Sequence, residues 1–177
     1  LRELADAGFP VPSFEVSPPD LTSAMRRLGT PLAIRSCAAV EDGRASSFAG
    51  LFLSVLNVHS LAELEDAVIA CRNSSDSEAV HEYLRRHRID VPSIDMDVIV
   101  QRMIAAKLSG VAFSIDPLTG CDRVVIEATE GLGDKLLSGR SQPVASDHPL
   151  LNTWRTQIED LARSVQRHFG TPQDIEF

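Results

Sequence analysis

Lysine is almost missing from this chain: Lys107 and Lys135 are the only two in 177 residues, and the other basic side chains are arginines. The formal net charge is −8 and the pI about 5.0, which excludes a nucleic-acid surface, because phosphate backbones demand clustered Lys and Arg. Cysteine is scarce as well. Cys37, Cys71 and Cys121 are odd in number and widely spaced, with no CxxC pair and no matching histidine spacing. That is the pattern of reduced thiols in a cytoplasmic protein, not of a disulfide framework or a zinc site. No apolar run approaches the roughly 18 residues of a membrane span, and no signal peptide stands at Leu1. The chain opens on Leu and not Met, the expectation for a piece of something longer. Its length suits one domain with one core, burying about two-thirds of the unfolded surface.

What is present begins with Pro31 to Val58. Leu32-Ala33-Ile34 reads as a buried strand that delivers Arg35 and Ser36 at its end. A loop of small residues follows, through Ser47 and Ala49 to Gly50, and small side chains leave backbone N–H groups accessible. Those N–H groups, together with one strand-end guanidinium, can hold a phosphate. Leu51 to Val58 is then a second strand, with Leu51, Leu53 and Val55 on one face. Strand, phosphate-sized loop, strand is the geometry of a nucleotide cover.

The rest of the chain supplies ordinary elements and three more candidate sites. Helices are expected over the first residues to Ala7, from Pro18-Pro19-Asp20 to Leu28, from Ser60 to Cys71 behind a Ser60/Glu63 capping box, and from Ser77 to His87. Arg85, Arg86 and Arg88 crowd a helix C-terminus, where a dipole on a solvated face explains them without an anion site. Pro92 to Asp97 reads as a connector between two lobes, followed by strands Val98 to Ile104, Gly110 to Ile115 and Arg123 to Ala128. Polar Gln101 among apolar neighbours suits the edge of an adenine slot. Leu151 to Phe169 repeats Trp154, Ile158, Leu161, Val165 and Phe169 at helical spacing. Asp174 and Glu176 close the chain on one face of a strand. Such a pair suits a hard cation such as Mg²⁺, and the plainer alternative is a strand edge with solvated acids.

These residues carry a resemblance. Arg35-Ser36, Ala38, Glu41-Asp42, Ser47-Phe48-Ala49-Gly50 and Leu56-Asn57-Val58 resemble the "RSSA-x-x-ED…SFAG…LNV" signature of the phosphoenolpyruvate synthase ATP-binding domain. Pyruvate phosphate dikinases and rifampicin phosphotransferases share that domain, an ATP-grasp fold. "VQRMI" and "SGVAFSIDPLTG" resemble the family's "VQ-x-MV…SGVAFT-x-DP-x-TG" pair, with Ser114 where relatives usually carry Thr. A plain hairpin turn also explains Asp116 to Gly120. Gly131-Leu132-Gly133-Asp134 resembles "GLGE", a tight turn being the equal alternative, and the final Pro-Gln-Asp-Ile-Glu-Phe resembles "PQDIE[WF]".

The resemblance implies an α+β, ATP-grasp-like two-lobe domain with mixed or antiparallel sheets and flanking helices. Its sub-lobes run over about 1–91 and 92–177, with ATP between them. It implies that Arg35 acts on the phosphates and that Ser36, Gly50, Leu51, Gln101, Met103, Ser114 and Asp134 line the nucleotide, Asp134 at the ribose. It implies that Asp174 and Glu176 hold Mg²⁺. It further implies transfer of a phosphoryl group to a histidine on a separate swivelling domain, with an acceptor domain beyond it. None of the five histidines here sits in the phosphohistidine motif. The family's lysine-bearing Gly-Gly-Lys turn and its later Gln/Arg strand are not among these residues, so the isolated chain is expected to show no turnover. Leu51-Phe52-Leu53-Ser54 stands where relatives have a polar Gln-Gln-Glu-Thr run. That departure supports a rival reading, a silent nucleotide-binding or scaffolding module. A third reading is an antibiotic phosphotransferase or a natural-product ligase of the same family.

Overall fold

A strand that is apolar at every second position must bury one face, and in the first part of the chain helices cover that face. The computed structural model describes residues 1–38, 52–87, 94–133, 136 and 142–177, and the chain divides into two units, Leu1–Ile104 and Ala105–Phe177. In the first, β1 (Phe14–Val16), β2 (Leu32–Ala38), β3 (Ser54–Val58) and β4 (Met96–Arg102) form an antiparallel sheet ordered β1-β4-β2-β3. Leu32 and Ile34 of β2, Val58 of β3, and Val98 and Val100 of β4 pack on Leu64, Ala67, Val68 and Cys71 of α3 (Leu61–Asn73). The capping box forms as the sequence predicts. The Ser60 hydroxyl accepts from the Glu63 N–H at 3.3 Å, and the Glu63 carboxylate accepts from the Ser60 N–H at 3.3 Å. Leu28, at the end of α2 (Leu21–Leu28), enters the same core, and Asp20 caps that helix by accepting from the Ser23 N–H at 3.1 Å. Two further helices, Arg2–Asp6 and Glu78–His87, complete the unit.

β3 departs from the sequence expectation. It begins at Ser54 and not Leu51, and the alternation proposed for it breaks. Leu32 pairs with Val58 but Ile34 pairs with Val55, so β3 carries one extra residue at that step. Asn57 supplies the bulge, with a φ of 60° that asparagine tolerates better than most side chains. Without it the alternation would turn Asn57 inward; with it Val58 is buried at 2% exposure. β4 also differs. It was expected in the second lobe beside the two strands that follow it, yet it pairs with β2 along its whole length. Its Val98 and Val100 belong to the core under α3, which explains the placement.

The second unit is an antiparallel sheet ordered β6-β5-β7, from β5 (Leu108–Phe113), β6 (Val125–Glu130) and β7 (Asp174–Glu176). One helix packs on it, labelled α5 here (Pro149–Phe169), with Leu151, Ile158 and Ala162 against Ala112 and Ala128. Trp154, expected on the inward stripe, is 45% exposed. At about 100° per residue it lies roughly 60° off the line through Leu151, Ile158 and Ala162, and its ring falls at the border of the buried face. The helix ends at Gly170 in the left-handed region. All strand pairings among the described residues are antiparallel, so the α+β expectation holds, with antiparallel sheets and flanking helices.

Two features of this unit are rigid by chemistry. A side chain at Gly110 would place its Cβ 2.1 Å from the Glu127 carbonyl oxygen and 2.9 Å from the Phe177 ring. Asp116, only 4% exposed, organises the turn after β5: its carboxylate accepts from the Leu118 N–H at 3.0 Å, the Thr119 N–H at 3.2 Å and the Arg123 guanidinium at 2.6 Å. The Arg123 hydrogen bond, helped by those N–H groups, pulls its pKa down to about 2.

Two outcomes are expected. Gly110→Ala destabilises the protein by about 2 kcal/mol or more, because the obstructing atom is backbone and cannot swing away; an unchanged thermal midpoint by circular dichroism would contradict the contact. The Asp116 value lies below that of an unfolded carboxylate, so its stabilising effect is complete above pH ~4 and disappears as pH falls through about 2. Asp116→Asn should therefore be less stable than wild type near pH 7, with the gap closing between pH ~4 and ~2 in denaturant titrations.

Candidate functional site

On β2 Leu32 and Ile34 point to α3, so Ala33 and Arg35 belong to the opposite face of the sheet. On β4 Val98 and Val100 point to α3, so Ile99 and Gln101 join Arg35 there. Arg35 is paired with Ile99 and Ala33 with Gln101. Arg35 and Gln101 are thus diagonal neighbours, about 7–8 Å apart across the ladder. The structure brings these two expected residues together on one half-exposed face. Ser36 closes the β2–β3 pairing instead of standing open: its N–H at 3.1 Å and its hydroxyl at 3.0 Å both donate to the Leu53 carbonyl.

Gln101 stands on an interior strand of its sheet. β4 lies between β1 and β2, Gln101 is 8% exposed, and its side-chain amide donates to the Pro12 carbonyl at 3.3 Å. Its part is to fasten the segment before β1. Two residues on, Met103 leaves the ladder. Its N–H donates to the Pro31 carbonyl at 3.0 Å, and its Sδ accepts from the Asn57 N–H at 3.1 Å. Gly50, Leu51 and Asp134 lie outside the described residues.

In the second unit Asp174 and Glu176 occupy one face of β7, both exposed, while Ile175 turns the other way into the core. β7 is an edge strand, so its outer side is open to a ligand among the described residues. No group of three or more His, Cys, Asp or Glu side chains gathers among those residues, and the pair therefore offers a cation two carboxylates and no cage. That donor set fits Mg²⁺, which is usually held by one or two carboxylates while waters and phosphates complete its octahedron.

Ser114 sits elsewhere than a nucleotide-lining role would suggest. It is 0% exposed, and its three polar groups are all engaged. The hydroxyl accepts from the Gln173 N–H at 2.7 Å, the N–H donates to the Gln173 carbonyl at 2.9 Å, and the carbonyl accepts from Arg163 at 3.0 Å. The glycine turn leading to Asp134 is anchored in a similar way. Gly131 has a φ of 74°, its carbonyl accepts from the Ser109 hydroxyl at 2.7 Å, and its N–H donates to the Lys107 carbonyl at 3.1 Å. His148, which showed no partner pattern in the sequence, has its Nε2 3.1 Å from the carboxylate of Glu130, the residue before that turn. Sequence reasoning missed Ser109, Gly110 and Gln173 as supports. A glycine inside a strand was the available signal, since it marks a close backbone approach.

Residues 19–155 match the family described as the pyruvate phosphate dikinase AMP/ATP-binding domain. A rifampicin phosphotransferase of a Streptomyces species is 32% identical over 89% of this chain and 23% of its own length. A probable phosphoenolpyruvate synthase of Methanothermobacter thermautotrophicus is 36% identical over 82% of this chain and 27% of its own length. A prodigiosin-synthesizing transferase of Serratia marcescens is 37% identical over 80% of the chain and 15% of its own length. The chain thus spans about a quarter or less of the curated relatives it matches. Similarity of that breadth, running through the strand of Arg35 and the Gly131 turn, makes this chain an ATP-binding domain of the pyruvate phosphate dikinase and phosphoenolpyruvate synthase family.

Proposed function

We propose that this chain binds ATP together with Mg²⁺ and presents it for phosphoryl transfer to a histidine on a separate swivelling domain. One observation carries the reading: a short edge strand exposes two acids on one face while its other residue, half-buried, packs against the core. Asp174 and Glu176 would hold the magnesium, which would supply positive charge toward phosphate oxygens. The chain's own groups do the rest. Arg35, whose guanidinium presents a planar fork of donors, pairs with phosphate oxygens. The N–H groups at Gly50 and Leu51, together with Ser36, shape the phosphate cover. Gln101 holds the end of β4, Met103 lines the adenine, Asp134 receives the ribose, and Ser114 supports the metal pair. Phosphoryl transfer has a loose, charge-spread transition state, so positioned charge is most of what a protein contributes.

The five histidines of this chain lie outside a phosphohistidine motif, so the acceptor histidine belongs to another domain, as does the final acceptor. The reduced-thiol pattern supports a cytoplasmic setting for this reading. No described helix is long and apolar enough to cross a membrane. A second reading draws on the matched rifampicin phosphotransferase and prodigiosin-synthesizing transferase, whose names put the acceptor among antibiotics and natural products. The silent-module rival rests on the apolar Leu51-Phe52-Leu53 run.

Isothermal calorimetry on the folded chain tests the binding step. MgATP is expected to bind, and Arg35→Ala and Glu176→Gln are each expected to weaken it by about 10-fold or more, the effect of losing a charged hydrogen bond or ligand. No heat with MgATP, or variants that bind like wild type, would overturn the assignment.

A further inference from the structure

In a regular antiparallel ladder every second facing pair exchanges two main-chain hydrogen bonds, and the Gly110–Phe177 exchange puts Ser114 and Gln173 at such a position. Ser114 and Gln173 exchange only one. The Ser114 N–H donates to the Gln173 carbonyl at 2.9 Å, but the returning bond, from the Gln173 N–H, ends on the Ser114 hydroxyl at 2.7 Å. The Ser114 carbonyl that would normally receive it accepts from Arg163 of α5 at 3.0 Å instead. Arg163 also contacts the Asp122 carboxylate and donates to the Asp122 carbonyl at 3.1 Å. The serine hydroxyl thus replaces its own backbone in the ladder and frees the carbonyl to hold the helix. This happens at a fully buried serine, and its partner Gln173 stands one position before Asp174.

We propose that Ser114 is a positioning residue: its hydroxyl fixes the start of β7 and thereby sets the spacing and orientation of Asp174 and Glu176 toward a divalent cation. The inference rests on the reading of those acids as the Mg²⁺ pair. β7 has only three residues, paired Phe113 to Asp174, Ala112 to Ile175 and Val111 to Glu176. Its far end is held by the Gly110–Phe177 exchange, with N–H to carbonyl distances of 3.1 and 3.0 Å. Gly110 admits no shift there, because the Phe177 ring already fills the space where a Cβ would stand. Removing the Ser114 hydroxyl leaves the Gln173 N–H without its acceptor. The strand then slides to reach the Ser114 carbonyl, displacing Arg163, or it loses the bond. Either response moves Asp174 relative to Glu176.

The test is Mn²⁺ binding to the full 177-residue chain, followed by electron paramagnetic resonance of the free ion, with every variant checked for folding by circular dichroism. Ser114→Ala is expected to weaken Mn²⁺ binding by about 10-fold or more, the usual effect of removing a group that orients a metal ligand. Ser114→Thr, which keeps the hydroxyl, is expected to bind as wild type does. Asp116→Asn, which loosens the neighbouring turn without touching Gln173, is expected to keep wild-type affinity at neutral pH while losing stability. Should the alanine variant not fold, Ser114→Cys has nearly the same volume but a poor acceptor, and carries the same expectation. Alanine and wild type binding alike, threonine losing as much as alanine, or Asp116→Asn losing as much affinity would overturn the positioning role. A wild-type chain that binds no Mn²⁺, alone or with ATP, would instead overturn the acid-pair reading, and this inference with it.

Discussion

Three ladder positions cannot hold a strand in register by themselves; the ends of β7 must do it. At one end the Ser114 hydroxyl and N–H grip both polar groups of Gln173, and at the other Gly110 and Phe177 exchange a tight pair beneath a ring that leaves no space. Hydrogen bonds of this kind contribute only about 1 kcal/mol each in net terms, but leaving a buried partner unmatched costs about 1–3. The asymmetry is what gives a short strand a single position. Two exposed acids on a loose strand would sample many separations, and a cation that demands near-ideal octahedral geometry would select few of them.

The first unit solves a comparable problem with sheet pairing alone. Arg35 stands on β2, which is paired on both sides, to Ser54 and to Ile99. Its neighbours toward the helix, Leu32 and Ile34, are wholly buried, each side chain worth about 1.5–3 kcal/mol of transfer free energy. A guanidinium on such a strand is fixed at its root. The bulge at Asn57 serves the same end, because it lets β3 place Val58 under α3, and its N–H then reaches Met103. One irregular residue therefore links the strand beside Arg35 to the point where the chain leaves β4.

Much of this was legible in the sequence because it depends on local chemistry. The Ser60/Glu63 box, the Asp20 cap, the Gly170 stop and the alternation that puts Asp174 and Glu176 on one face need only near neighbours. Recognition of the family rested on motif order and held over residues 19–155. What sequence could not supply was pairing partner and register. Nothing local to Gln101 says that its strand will be flanked on both sides, and nothing local to Leu51 to Val58 says that Asn57 will break the alternation. Trp154 has the right spacing for the stripe, yet ring size and border position leave it half outside. Ser114 looked like a ligand contact because it sits in a motif. Only the fold shows its hydroxyl acting as part of the main chain.

The Ser114 node also closes a ring. From Arg163 the chain runs along α5, turns at Gly170, and arrives at Gln173; Gln173 is bonded to Ser114, and Ser114 is bonded back to Arg163. The position of the acid strand is therefore tied to the seating of α5, which is fixed by Leu151, Ile158 and Ala162 on Ala112 and Ala128. Apolar packing is strong but non-directional, and it sets where the helix lies to within the slack of its side chains. Directional bonds at the node remove the remaining freedom for the strand. The two kinds of force act in series, and a change that unseats the helix, such as a polar residue at Ala162, would reach the acids through Arg163 without altering any group near them.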